Sequence, residues 1–272
     1  MTNPYLRSSG PQSGPEGKNF CPWLVNNPHA YPSLAPPAGH TQPQPVTMTP
    51  TPRISNPSPM GLAVVLAAGA GSRMGHRPKG ALRINGRPLI ERTLAALRGA
   101  GIEDVVVVLG EHRDALWPLL QGLAVPSVFN PQAMSAGLTS SQRLGLQQMR
   151  PEHPWVLMAL ADQPLLAAPD VQALIDAFDQ RPQGMQALYP EVKGQPGNPV
   201  LLSRCAVEEI LRQPPDFGCK DWRQTQRTRV MAWPTDRPCY VTDLDTPQDL
   251  DQLRASTGWY CEWPHTGGPE PT

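Results

Sequence analysis

Leu62-Ala63-Val64-Val65-Leu66-Ala67 runs directly into Ala68-Gly69-Ala70-Gly71-Ser72-Arg73-Met74-Gly75-His76-Arg77-Pro78-Lys79, and this junction decides the fold. A short continuous apolar run ending in a glycine-rich turn is the pattern of a strand buried on both faces of a sheet. The glycines let the backbone turn tightly and present its N–H groups to an anion. Arg73 and Lys79 add fixed positive charge, and a guanidinium can grip two phosphate oxygens at once. The segment reads as a cradle for polyphosphate, although an ordinary strand-to-helix connection shares its glycines. Two familiar cradles fail on spacing. The dinucleotide fingerprint needs glycine where Met74 stands, which also excludes a dehydrogenase of that fold. The P-loop fails because Gly75…Gly80 is followed by Ala81. His76 has no acid–base partner at motif spacing and reads as an exposed loop residue.

Downstream, strand and helix patterns alternate. Pro88 to Ala100 is helical, with proline in its first turn and Gly99 and Gly101 at its end. Asp104 to Leu109 holds four consecutive valines and predicts a second buried strand. Helices are predicted over 112–121, 137–149, 169–179, 204–212, 219–227 and from Thr246. Strands are predicted over 125–129, 155–161, 186–189, 200–202, 229–233 and 239–242. Such alternation means βαβ units, hence a Rossmann-like α/β fold with a doubly wound, mostly parallel sheet and helices on both faces. Ligands bind such sheets beyond the carboxyl ends of the strands, so the loops after Ala67, Leu109, Phe129, Ala161 and Thr242 should carry the chemistry.

The chain outside 61–255 has a different texture. Of its 35 prolines, 14 fall in residues 1–60, among only four charged side chains, Arg7, Glu16, Lys18 and Arg53. No helical or strand period is visible there, and such a segment buries too little apolar surface to offset the entropy of ordering it. It reads either as a disordered, partly polyproline tail or as upstream sequence before a later start at Met48 or Met60. Residues 256–272 are again Gly/Pro-rich and are expected to form a flexible tail. The 272 residues carry 23 Lys+Arg against 23 Asp+Glu. A net charge of zero argues against an electrostatic nucleic-acid binder. No apolar run reaches the roughly 20 residues that span a bilayer. Five scattered cysteines without a C-x-x-C pair fit a reducing, cytoplasmic setting better than a disulfide framework.

Carboxylates mark two of the predicted loops. Asp162 follows the apolar run Trp155–Ala161, and Asp243 and Asp245 follow Tyr240-Val241. Carboxylates from two strand ends at one sheet edge can share a hard cation such as Mg²⁺, which takes one or two of them together with water and phosphate. Each has a simpler reading: Asp162 as a turn former before Pro164, and Asp245 or Thr246 as the cap of the last helix. Asn130 ends another strand. Ser140 and Ser141 lie near a helix start, where hydroxyls suit phosphate or ribose as well as plain capping.

The segment L-A-A-G-x-G-x-R-M-G…P-K resembles the nucleotidyltransferases that move a nucleoside monophosphate from an NTP, and among them it is most similar to the molybdenum-cofactor nucleotidyltransferases. Four further motifs carry the resemblance: Gly137-Leu138-Thr139-Ser140-Ser141, Ala161-Asp162-Gln163-Pro164, Gly197-Asn198-Pro199-Val200 and Thr242-Asp243-Leu244-Asp245-Thr246-Pro247. The resemblance implies catalytic roles for Arg73, Lys79 and Asp162. It implies nucleotide contacts at Ala67, Ala68, Gly69, Gly71, Ser72, Arg73, Lys79, Asn130, Ser140 and Ser141. Acceptor contacts fall on Gly197, Asn198 and Gly218, and Mg²⁺ ligands on Asp162 and the Asp243/Asp245 pair, with no choice made within that pair. The implied substrates are an NTP and a phosphorylated pterin, molybdopterin, with a molybdenum hydroxylase as client. Leu66-Ala67-Ala68-Gly69, Asp162-Gln163-Pro164 and Asp243-x-Asp245 look cytidylyl-type and favour CTP, whereas Lys79-Gly80 is similar to the guanylyl branch. Rival readings are a sugar-1-phosphate or polyol-phosphate nucleotidyltransferase and a non-catalytic carrier of the cofactor.

Overall fold

The computed structural model describes residues 61–264. The Pro-rich stretch 1–60, with both of its readings, lies outside the described residues. The chain runs β1 (Leu62–Ala67), β2 (Arg83–Ile84), β3 (Arg87–Pro88), α1 (Leu89–Gly99), β4 (Val105–Leu109), α2 (Arg113–Gly122), β5 (Ser127–Phe129), α3 (Ala133–Leu146) and β6 (Trp155–Leu160). It continues through α4 (Ala168–Asp179), β7 (Ala187–Val192), β8 (Gln195–Pro196), β9 (Val200–Ser203), α5 (Arg204–Arg212), α6 (Cys219–Thr225), β10 (Val230–Thr235), α7 (Pro247–Thr257) and β11 (Cys261–Glu262).

The main sheet has the order β10-β7-β9-β6-β1-β4-β5, with β8 paired to β7 off this path. β1 pairs parallel with both β4 and β6, β4 with β5, and β10 with β7. β9 runs antiparallel to β6 and β7 and so joins the two parallel groups. The sheet is therefore mostly parallel, with helices on both faces. Side chains of β1 alternate between them as a pleated strand requires. Ala63 and Val65 face a core built with α1, α2 and α4. Leu62, Val64 and Leu66 face a second core with Leu146 of α3, Val207 and Ile210 of α5 and Trp222 of α6.

Two expectations are corrected. Residues 239–242 do not form a strand. Pro238–Tyr240 is a turn of 3₁₀ helix, with the Val241 N–H bonded back to the Pro238 carbonyl at 3.0 Å. The Tyr240 carbonyl instead accepts from Gln163 Nε2 and from the Asn198 N–H, contacts of a turn and not of a ladder. Nor is the first part of the expected 256–272 tail loose, while residues 265–272 lie outside the described residues. α7 ends at Gly258, and β11 then pairs antiparallel with β2 to make a three-stranded sheet in the order β11-β2-β3. Cys261 is buried there with Leu82, Ile84, Leu89, Leu244, Leu250 and Leu253, and Trp259 and Trp263 pack against the cluster. The apolar content of Trp259-Tyr260-Cys261-Glu262-Trp263 outweighs the Gly/Pro signal around it.

Candidate active site

The cradle follows β1 directly. Gly71 adopts φ +61°, and a Cβ there would stand 2.3 Å from the Arg77 carbonyl oxygen, so only glycine closes this turn. Met74 is buried and anchors a short 3₁₀ turn, leaving Arg73 and Arg77 at the surface. Pro78 starts a second 3₁₀ turn, Lys79–Ala81, which points the Lys79 side chain at the end of β6.

There Lys79 Nζ donates to Asp162 Oδ2 in a short hydrogen bond and to Asp245 Oδ1 at 3.0 Å. The Lys79 and Asp162 side chains are each 17% exposed, and Asp245 is 33% exposed. Burial works against the ammonium, but the Asp162 carboxylate, helped by Asp245, outweighs it and lifts Lys79 above the ordinary lysine value. Lys79 is thus held in its charged form at neutral pH. Arg73, 72% exposed, reaches Asp245 Oδ2 at 3.7 Å.

The capping role open to Asp245 in the sequence falls to its neighbours. Thr246 Oγ1 accepts the Asp249 N–H, and Asp249 Oδ2 accepts the N–H groups of Thr246 and Asp245. This reciprocal box caps α7 and leaves the Asp245 carboxylate to face Lys79. Asp162 caps no helix either, since α4 begins at Ala168 with Asp170 bonded to the Ala167 N–H. The Leu244 N–H donates to the Asp162 carbonyl at 3.0 Å, tying the two acidic loops together. Asp243 Oδ1 accepts from Gln163 Nε2 at 3.1 Å.

A cavity of about 350 Å³ opens beside this cluster, lined among others by Ala67, Ala68, Gly69, Lys79, Ser141 and Asp162. A second, of about 250 Å³, is lined by Gly197 and Asn198 together with Tyr189, Lys220, Trp222 and Arg223. Leu66, Leu138 and Leu160 border both cavities, so the two open side by side over the carboxyl ends of β1 and β6. The lining of the second holds two cations and no carboxylate.

The other residues predicted from sequence fall nearby in supporting positions. Asn130 is buried; its Nδ2 donates to both Ser140 Oγ and Ser141 Oγ at 2.9 Å, and its Oδ1 accepts the Gln132 N–H. It pins α3 where that helix breaks at Gly137, and neither Asn130 nor Ser140 lines the cavity. Gly71, Ser72 and Arg73 shape the loop without lining the cavity. Gly197 sits where a Cβ would be 2.4 Å from the Tyr240 carbonyl oxygen. The Gly218 N–H donates to Asp221 Oδ2 at 2.8 Å and starts α6, the helix that delivers Lys220 and Arg223. Arg223 and His112 are wall residues that the motifs did not contain. The spacing of Arg223, three residues after Lys220 on one helix, is the signal that would have found it. His112 Nε2 lies 2.9 Å from the Ala70 carbonyl oxygen, bracing the cradle from the loop after β4.

The donor set suits a hard cation. Asp162 Oδ1 is buried and makes no hydrogen bond among the described residues, and the Asp245 carboxylate lies across Lys79 from it. Among the described residues, no group of three or more His, Cys, Asp and Glu forms a closed cage. Two carboxylates, with water and substrate phosphate completing the shell, are the number Mg²⁺ usually takes from protein.

A mostly parallel sheet, with a glycine turn after β1 and a lysine–carboxylate cluster beside it, is the nucleotide-diphospho-sugar transferase fold, and the family match places the chain among the nucleotidyltransferases. The chain belongs to the MobA-like NTP transferase family, whose domain matches residues 63–230. Rv0371c from Mycobacterium tuberculosis has the same fold, with a TM-score of 0.61 and 24% identity over 72% of this chain and 98% of that one. The bifunctional protein GlmU of Syntrophomonas wolfei is 35% identical over 120 residues, which are 44% of this chain and 26% of that protein. CMP-5'-(3-aminopropyl)phosphonate synthase of Streptomyces rubellomurinus is 34% identical over 138 residues, 44% of this chain and 21% of that protein. The chain spans less than half the length of the curated relatives it matches. Among the described residues, no helix is long and apolar enough to cross a membrane.

Proposed function

We propose that this protein transfers CMP from CTP to the terminal phosphate of molybdopterin or its molybdenum form, releasing pyrophosphate, in the cytoplasm. The observation that carries the reading is the convergence of Lys79, Asp162 and Asp245, the first two in the wall of one cavity, with a cationic second cavity adjoining it. Two anions must meet, and their repulsion is the main barrier. The N–H groups of the 69–75 turn, with Arg73 and Lys79, would offset the triphosphate charge, and Lys220 and Arg223 would hold the acceptor's phosphate. The acceptor phosphate is already ionised near neutral pH, so no protein nucleophile is needed. Positioning for in-line attack on the α-phosphorus does the remaining work.

Mg²⁺ would be held by Asp162 and Asp245, neutralising charge on the departing pyrophosphate. Asp243, engaged by Gln163, would orient the loop. The cytidylyl choice is supported by the Ala67-Ala68-Gly69 and Asp243-x-Asp245 patterns and by the Streptomyces relative, named for a CMP product. The pterin acceptor is supported by the resemblance of the five motifs to the molybdenum-cofactor enzymes, and the partner it implies is a molybdenum hydroxylase that receives the dinucleotide.

The test is pyrophosphate release with each of four NTPs against molybdopterin and a panel of sugar phosphates. CTP with molybdopterin should give the highest kcat/KM. Asp162→Ala should lower turnover at least about 100-fold, the scale of losing one preorganised charge-stabilising group, while circular dichroism stays unchanged. Turnover with a sugar phosphate in place of molybdopterin would replace the acceptor assignment.

A further inference from the structure

Residues 259–263 lie beyond the 63–230 stretch matched by the family, yet they touch both arms of the site. β11 pairs with β2, placing Cys261 opposite Ile84. The Asn85 N–H donates to the Tyr260 carbonyl at 2.8 Å, and the Tyr260 N–H returns a bond to Asn85 Oδ1 at 2.8 Å. The Arg77 guanidinium carbon stands 5.3 Å from the centre of the Trp263 ring. Arg77 is two residues before Lys79, and its carbonyl closes the Gly71 turn. On the other arm, the Arg92 guanidinium carbon lies 4.6 Å from the centre of the Trp259 ring, and Arg92 Nη2 reaches the Pro164 carbonyl, two residues after Asp162, at 3.5 Å.

Beneath the tryptophans, one apolar cluster gathers Leu82, Leu165 and Leu244. These follow Lys79 by three residues, follow Asp162 by three, and precede Asp245 by one. The loop that carries the cradle is mostly exposed, with Met74 as its buried residue between Gly69 and Pro78. A loop with so little burial has few contacts of its own to fix its position. Beyond the Lys79 and Arg73 contacts with Asp162 and Asp245 and the His112 brace, its register depends on anchors outside the loop.

We propose that Trp259 and Trp263 are positioning residues. This C-terminal strap holds the Lys79 arm and the Asp162 arm against a shared cluster, and so sets the geometry at which the cation and carboxylates meet a triphosphate. The catalytic meaning of that geometry rests on the function proposed above; the mechanical link does not.

Hydrogen exchange of the full-length protein without substrate, read by mass spectrometry, separates the two. Arg77→Gln, at an exposed position, should speed exchange in peptides covering 76–82 about two- to fivefold, the worth of an exposed cation–π contact. Trp263→Ala should exceed that, Trp263→Phe should stay within about twofold of the parent, and Trp259→Ala should act on 161–166 instead. Peptides from β4 should be unchanged in all four. In turnover, Arg77→Gln should raise the KM for CTP by about the same factor and leave the acceptor KM alone. Unchanged exchange in 76–82 for Arg77→Gln and Trp263→Ala overturns the proposal. Equal acceleration in β4 also overturns it, since the tryptophans would then hold the whole domain. Loosened arms in a protein that never turns over CTP would support the strap and refute only the proposed reaction.

Discussion

Lys79→Met tests the central cluster without reference to any substrate. The substitution keeps the apolar stem and removes a cation that hydrogen-bonds both Asp162 and Asp245. Asp162 is 17% exposed and already holds one oxygen without a partner. Leaving it beside a second carboxylate is the costly half of breaking a buried pair, typically about 3–5 kcal/mol. Water reaches Asp245, one third exposed, so screening brings the expected loss to the lower end, about 3 kcal/mol. For a domain of this size that is a fall in Tm of about 6–12 °C. The pH dependence has a definite sign. The folded pKa of Lys79 is raised, so its contribution is fully present below the ordinary value of 10.5 and is lost only as pH climbs through the folded value. The gap between parent and variant should therefore stay constant from neutral to mildly alkaline solution. Urea unfolding at pH 7 and 9 measures it. A cycle with Asp162→Asn should return a coupling of at least about 1 kcal/mol. A Lys79→Met protein within about 0.5 kcal/mol of the parent at both pH values, uncoupled from Asp162→Asn, would mean that the cluster does not exist in solution.

Three other perturbations reach different parts of the molecule. Hydrogen bonds from Arg229, with support from Trp222, pull the Glu209 carboxyl down to about 2 from 4.5, so its stabilisation is present above pH 4.5 and lost as pH falls toward 2. Urea midpoints at pH 3, 4 and 6 should show acid weakening in the parent and a flatter profile in Glu209→Gln. Arg223→Ala removes a cation from the second cavity and should raise the acceptor KM roughly tenfold with the CTP KM unchanged, as initial-rate kinetics with each substrate varied will show. Thr246→Ala loses the cap of α7 and should cost about 1 kcal/mol in thermal melts, with a further loss of turnover because Asp245 is the adjoining residue.

The fold class was legible in sequence because its signals are local. Four valines in a row at Val105–Val108 and the apolar run Leu62–Ala67 can be buried on two faces only in the middle of a sheet, and proline and glycine punctuate the helices between them. Chain order also placed the acidic loops after β6 and before α7. What was missed shows where local reading ends. Residues 239–242 look like a strand, and 256–263 like a loose end, until the neighbours that refuse or accept them are present.

The parallel strands and the glycine turn after β1 were readable along the chain, because hydrophobic period and glycine spacing act over a few residues. Tertiary structure alone decided that Asp245 meets Lys79 and that Gln163 engages Asp243. The first turns on Asp249 and Thr246 closing the helix cap. The residues concerned lie up to 166 positions apart, and no pattern along the chain encodes a competition among side chains that meet only when the sheet has formed.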